Sequence, residues 1–551
     1  MAGLLITEAI AEAKDNKENL ILQTLDAEKA FDVVWHDSLL QKLYKDGVEG
    51  DLWLLVQSLH KNANTIVKWE GEISGNIPIL QGIRQGAKLS MLMYKRFNND
   101  LINHLQNTNE GIKIGTHDIS SPTCADDISL LTPNEAEAQI LTNLVYETSR
   151  RDRFNINPSK CELIYYKNNN LQDPAPCVFL GGGERIQNVL TLKHHGIERN
   201  SSNTPDVAGR IHTARKTIYA LLGSGLHGKN GLSPVITYNM WTTFVIPRLL
   251  HGIELLSIRK TDLENLERYQ RKVLKQLQSL PERTASVAVL MLIGAKTIEA
   301  HIDTRIITTF LNITKDTSSV EFSLAVGQLK MKEHNSNSWF IKAAHILAKY
   351  DLPDPLFLLE SIKNKKDLEH WKKQTKIGIE TYWEHKLTTE IENKSTLTYI
   401  NIQDRPTKYP HVVWKGSHHS PFASHKANIK AKLMTGTLLL ESDKHRFQPK
   451  RYNPQCQLCK TDIEDQKHFL LKCPILEARR SPYTEKLKLE LQNLDLDTID
   501  ENTKLQLIVD CTGINLGRAQ KDSAMRLEAL SRDMIYALYT CRANILKKNS
   551  F

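Results

Sequence analysis

The sequence predicts an α+β domain over its first 200 residues, followed by a mostly helical remainder that ends in a small Cys/His segment. Three observations lead there. Up to about residue 200, short apolar runs ending in acids alternate with helical periods. Beyond about residue 205, one helical period follows another. Near the end, Cys456, Cys459, His468 and Cys473 crowd into one short stretch.

Taken in order, residues 4–18 have helical spacing. "LILQTLDAEKAF" is then a short apolar run that reads as a strand delivering Asp26 at its end. "WHDSLLQKLYKDGV" resumes a helical period through Leu39, Leu40 and Leu43 and stops at Gly47. "NTIVKWEGEISGNIPIL" alternates like a hairpin around Gly71, and "LSMLMYKRFNNDLINHL" is a long amphipathic helix. "IKIGTHDISSPTCADDISLL" reads as two short strands around a turn, and "EAEAQILTNLVYETSRRDRF" as a helix. From 205 come "AGRIHTARKTIYALLG", "PVITYNMWTTFVIPRLLHGIELL" and "LENLERYQRKVLKQLQSL", the last mixing basic with apolar residues. Residues 315–425 are polar, rich in Lys, His and Ser, and poorly periodic, which predicts a weakly structured helical connector. The expected division is therefore 1–200, 201–314, 315–425 and 426–551.

Composition narrows the function classes. A chain of 551 residues, 40% hydrophobic and 25% charged, can bury several cores and is not disordered by composition. The excess of 72 basic over 63 acidic residues allows a polyanionic partner without requiring one. Eight cysteines are too sparse for a disulfide framework, which points to a reducing, intracellular setting, cytoplasmic or nuclear. The first residues lack the basic start and apolar core of a signal peptide, and no apolar run approaches the roughly 20 residues of a membrane helix. No membrane partner is expected.

"PTCADDISLL" sets Asp126 beside Asp127 between apolar flanks, about a hundred residues after Asp26. An ADD triplet alone reads as a surface turn. On adjacent strands, however, the three carboxylates could share two Mg²⁺ ions, a set suited to in-line phosphoryl displacement. Without a metal they would repel and raise one another's pKa values.

The neighbouring segments decide between these readings. "LDAEKAFDVVWHDSLLQKL" and "QGIRQGAKLSMLMYKRFNNDLI", with the ADD turn and Asn157 to Lys160, resemble in order the polymerase palm of reverse transcriptases from non-LTR (LINE-type) retrotransposons. The resemblance implies a right-hand palm and a helical thumb. It makes Asp26 and Asp126 the principal metal ligands and Asp127 the supporting acid. Phe31 would lie under the incoming sugar and exclude a 2′ hydroxyl. Arg84, Gln85 and Gly86 would approach the templating base pair, the glycine leaving room that a Cβ would remove. Lys160 would serve as a cation near the triphosphate. RNA template, DNA primer and deoxynucleoside triphosphates are the implied partners. Three departures stand out: Cys124 replaces the family's aromatic before ADD, Ala87 to Met91 replaces DPLSP after GIRQG, and "LKHHGI" replaces a YLG-like segment. With only about 25 residues before Asp26, the fingers and an N-terminal endonuclease are expected to lie on a missing portion of a longer polyprotein.

"CQLCKTDIEDQKHFLLKCP" supplies CxxC, then His468 and Cys473. Two thiolates from a turn and two ligands from a following helix can close a tetrahedral, structural Zn²⁺ site. LINE-type chains carry a similar CCHC segment after a basic helix. That likeness implies a nucleic-acid grip, with Lys426, Lys430, Lys432 and Arg446 near phosphates. The leading expectation is an RNA-directed DNA polymerase. The alternative is a catalytically inactive, zinc-containing nucleic-acid-binding protein derived from one.

Overall fold

The computed structural model describes residues 1–168, 174–181, 183–226, 231–401, 409–417, 420–491, 498–513 and 520–548. In chain order the first part runs α1 (Ala2–Asn16), β1 (Leu20–Asp26), α2 (His36–Lys45) and α3 (Gly50–His60). Two short ribbons follow, β2 (Asn64–Thr65) with β5 (Ile77–Pro78), and β3 (Lys68–Trp69) with β4 (Glu72–Ile73), turning at Gly71. Next come α4 (Lys88–Asn107), β6 (Lys113–Ile114), β7 (His117–Asp118), β8 (Asp127–Thr132), α5 (Glu135–Arg151) and β9 (Glu162–Tyr166). Five short strands complete this part: β10 (Phe179–Leu180), β11 (Glu184–Arg185), β12 (Gln187–Asn188), β13 (Thr191–His194) and β14 (Ile197–Asn200).

The central sheet has the order β12-β9-β1-β8, with β1 antiparallel to both neighbours. β1 reads as a continuous apolar run because both of its faces are covered. Leu20, Ile21, Leu22 and Leu25 are all buried, and Gln23, also buried, donates to Thr142 Oγ1 of α5 at 3.1 Å. Ile21, Leu25, Leu130 and Leu163 share one core with Leu39 and Leu43 of α2, Phe97 and Leu101 of α4, and Leu141 and Val145 of α5. Inside this shell Lys42 Nζ pairs with Asp152 at 2.7 Å and donates to the Phe97 carbonyl at 2.7 Å, so its buried charge is satisfied.

Helices dominate from residue 207: α6 (Val207–Leu222), α7 (Pro234–Met240), α8 (Ile246–Leu249), α9 (Lys260–Leu277), α10 (Ser286–Ile293), α11 (Ile298–Ile313), α12 (Val320–Met331), α13 (Trp339–Lys349), α14 (Pro355–Ser361) and α15 (Lys365–Glu392). After these come α16 (Val412–Lys415), α17 (Pro421–Met434), α18 (Glu441–Phe447), α19 (Glu477–Glu490), α20 (Glu501–Val509) and α21 (Gln520–Lys548). Among the described residues no helix is long and apolar enough to cross a membrane.

The chain forms two compact units from discontinuous pieces. One comprises Met1–Asp206, His251–Arg259 and Ile306–Lys372; the other comprises Val207–Leu250, Lys260–Arg305 and Lys373–Phe551. The four consecutive segments expected from sequence do not follow this division. Nor is 315–425 a weakly structured connector: α12 to α17 occupy most of its described residues. In the first unit, α13 buries Trp339, Phe340, Ile341, Ala343 and Leu347. Ser338 caps it by accepting from the Phe340 N–H at 3.2 Å, and further support comes from far away in sequence. Glu8 of α1 accepts from Ser338 Oγ at 2.6 Å and from the Trp339 backbone N–H at 2.9 Å, while Asp15 accepts from Ser336 and Asn337.

Candidate functional site

Strand register builds the acidic site. Asp26 closes β1 and Asp127 opens β8, and the two are direct cross-strand partners. The turn before β8 is two residues long. Cys124 and Asp127 exchange both backbone hydrogen bonds, at 3.1 and 3.2 Å, leaving Ala125 and Asp126 at the tip. Ala125 takes φ of 55°, a left-handed conformation that an L-residue adopts only when its surroundings impose it. Asn98 of α4 contributes by donating to the Ala125 carbonyl at 3.2 Å. Asp126 is exposed at that tip, while Asp127 is half-buried.

Lys160 Nζ stands 3.0 Å from Asp26 Oδ2. It gets there because Asn157, which caps the Pro158–Lys160 turn, donates its backbone N–H to the Asp26 carbonyl at 2.8 Å. Burial lifts the Asp127 carboxyl above its usual range. His195 opposes that shift, while Asp126 and Asp26 reinforce it. An all-oxygen, like-charged donor set suits a hard divalent cation.

The loop carrying Gly82 to Gly86 is pinned beside the same strand end. Gly82 N–H donates to the Val34 carbonyl at 2.8 Å and Ile83 N–H to the Phe31 carbonyl at 2.7 Å. Phe31 stacks on Tyr94 of α4 with centroids 4.7 Å apart and planes 21° apart. Gln85 donates to Asp32 at 3.2 Å, and Arg84 is exposed. Asp32, His36, His60, Gly82, Arg84 and Gln85 are among the residues lining an open cleft of about 870 Å³. A Cβ at Gly86 would meet nothing within 4 Å of this chain, and the residue's φ of 84° is what demands glycine. Gly82 is the crowded one, its Cβ falling 2.6 Å from the Asp32 carbonyl oxygen at φ of 91°.

In the second unit the four predicted ligands converge. Their ligating atoms all lie within 4.8 Å of one another. Cys456 Sγ is 4.0 Å from Cys473 Sγ, and Cys459 Sγ is 3.3 Å from His468 Nε2. A tetrahedral zinc site with Zn–S bonds of about 2.3 Å has an S···S edge of about 3.8 Å, so the cluster is nearly at that size. His468 and Cys473 are set by one wide helical turn, His468–Lys472, closed by the Cys473 N–H on the His468 carbonyl at 2.8 Å. Burial pushes the Cys456 and Cys473 thiols up, whereas at Cys459 the opposing burial is outweighed by hydrogen bonds from Thr461. Behind the cluster, Arg542 of α21 makes a two-pronged bond to Glu464, 2.8 and 2.6 Å.

The expected phosphate contacts need correction. Lys430 is wholly buried and pairs with Glu528 at 2.6 Å and Ser531 at 2.5 Å, so it faces α21 and not solvent. Lys426 pairs with Asp533 at 2.8 Å, and Lys432 is half-buried. Arg446 is exposed, pairs with Asp443, and lies over Phe447, 5.5 Å from its centroid. The exposed cations sit instead around α18 and the loop after it. Arg283 also overlies Phe447, and Arg451 overlies Tyr452. Sequence reasoning missed Tyr94, Asn98 and Arg542, and met His195 only as part of "LKHHGI", a departure from the family pattern, without linking it to Asp127. Tyr94 and Asn98 were detectable only as an i, i+4 pair on the buried face of α4.

Residues 3–184 match the family described as reverse transcriptase (RNA-dependent DNA polymerase). Among curated relatives, the chain is 26% identical over 279 residues to the RNA-directed DNA polymerase from mobile element jockey of Drosophila melanogaster, covering 49% of this chain and 30% of the relative. It is 23% identical over 273 residues to the retrovirus-related Pol polyprotein from type-1 retrotransposable element R2 of Popillia japonica, covering 48% and 43%. With the R2 polyprotein of Nasonia vitripennis, 23% identity extends over 290 residues, 51% of this chain and 27% of the relative. The chain thus spans less than half the length of the relatives it matches.

Proposed function

We propose, from the premise that residues 3–184 are a reverse transcriptase domain of the non-LTR retrotransposon kind, that this chain adds deoxynucleotides to a primer 3′ end along an RNA template. The observation that carries the reading is the pairing of Asp26 with Asp127 across β1 and β8, with Asp126 exposed at the turn between Cys124 and Asp127. Asp26 and Asp126 would hold two Mg²⁺ ions, which when bound activate the attacking hydroxyl and neutralise the leaving pyrophosphate. Lys160, on a flexible stem beside Asp26, is within reach of a triphosphate entering the site. The Phe31 ring, braced by Tyr94, forms a flat wall on which a 2′ hydroxyl would collide. Gln85, held by Asp32, and the exposed Arg84 line the cleft in which the templating pair would lie.

The Cys456, Cys459, His468 and Cys473 cluster would hold one Zn²⁺ as a structural ion, since four ligands leave no open position. Nucleic acid would then meet the exposed Arg446, Phe447 and Arg451 and the half-buried Tyr452, which pair cations with stacking surfaces. Primer extension on an RNA template with Mg²⁺ tests the reading. Extension by the unmodified chain that disappears in Asp126→Asn supports it. RNA binding without extension in either chain would favour the inactive, nucleic-acid-binding alternative.

A further inference from the structure

Asp127 is held by a second element. The β13–β14 hairpin turns through His195 and Gly196, with His194 paired to Ile197 and both turn residues at positive φ, 50° and 71°. That turn presents its side chain to the carboxylate: His195 Nδ1 is 3.4 Å from Asp127 Oδ2. His195 Nε2 is buried without a hydrogen-bond partner among the described residues, so the ring's polar contact runs through Nδ1.

The turn is itself fastened. His251 Nε2 is 3.2 Å from the His195 carbonyl, and a Cβ on Gly196 would come within 3.1 Å of that same nitrogen. The buried ring of His194 meets His195 edge-on, with centroids 4.0 Å apart. Lys160 makes a contrast, because its exposed stem can swing off Asp26 when a metal arrives, whereas a side chain on a two-residue turn braced on both sides cannot.

We propose that His195 is a positioning residue: its turn holds Asp127 away from the metals, so that Asp26 and Asp126 carry the divalent ions and Asp127 orients the turn that presents them. The proposal rests on the two-metal reading of the site.

Mn²⁺ binding to the full chain, followed by the electron paramagnetic resonance signal of the free ion at fixed pH, tests it without requiring turnover. The thiolate cluster prefers softer metals, so Mn²⁺ reports mainly on carboxylates. Asp126→Asn is expected to weaken binding by about tenfold, and Asp127→Asn to leave it within about twofold. His195→Gly keeps the positive φ but removes the imidazole. It should tighten binding several-fold, roughly three- to tenfold, because the freed Asp127 can join the ions. His195→Asn retains a donor near the Nδ1 position and tolerates the turn, so it should bind like the unmodified chain. Unchanged binding in His195→Gly, or a loss in Asp127→Asn equal to that in Asp126→Asn, would overturn the proposal. Silence in Asp126→Asn would instead remove the two-metal reading, and the proposal with it.

Discussion

Gly82 and Gly86 bracket one loop and take positive φ with different consequences. An alanine at Gly86 pays only for its backbone conformation, about 1–2 kcal/mol. At Gly82 the new Cβ also collides with the Asp32 carbonyl, so Gly82→Ala should destabilise the first unit by roughly 3 kcal/mol or more in denaturant melts. Lys430→Ala should behave like the loss of half a buried ion pair, costing about 3–5 kcal/mol through the stranded Glu528, while leaving the salt dependence of RNA binding unchanged. Arg451→Ala should do the reverse, lowering that salt slope by about one unit with little effect on stability. At this scale the sequence was legible where chemistry is local. The four Cys/His residues could be grouped from spacing alone, whereas the three acids needed the neighbouring segments to be singled out. Lys430 was misread because its partner lies 98 residues away, and a lysine in a basic run looks the same whether it meets solvent or a buried glutamate.

The strands and helices that deliver the site were legible for the same reason. β1 announces itself as an apolar run ending in Asp26, and α4 and α5 as amphipathic periods with caps or glycines nearby. The region holding α12 to α15 was read as weakly structured although Ser319, Ser338 and Asp354 cap its helices locally; what the sequence could not show is that Glu8, 330 residues before Ser338, binds the start of α13. Burial pushes the Glu8 carboxyl up from 4.5 to about 7, opposed by hydrogen bonds from Ser338 and Trp339. A folded pKa above the unfolded one means that the protonated carboxyl is favoured in the fold. Its stabilising contribution is therefore complete below pH 4.5 and lost as pH rises through 7. The shift corresponds to something on the order of 3 kcal/mol. Calorimetric melting of the first unit should fall between pH 5 and pH 8, and Glu8→Gln should flatten that fall. An unaltered pH dependence in the variant would exclude Glu8 as its source.

Across the whole molecule, the acidic site lies in one compact unit and the Cys/His cluster in the other. The first unit also exposes apolar side chains that a free surface rarely carries together: Leu52, Leu55 and Leu59 on α3, Trp69 and Leu80 in and after the ribbons, and Met91 and Leu92 on α4. Any polymerase activity nevertheless converges on the end of β1. The most direct measurement is the single-turnover rate of one dTMP addition to a DNA primer on an RNA template, comparing the unmodified chain with Asp26→Asn. A loss of about 10³-fold or more with template binding retained is expected if Asp26 holds the divalent ions as proposed. Addition by Asp26→Asn within about tenfold of the unmodified chain would contradict that role.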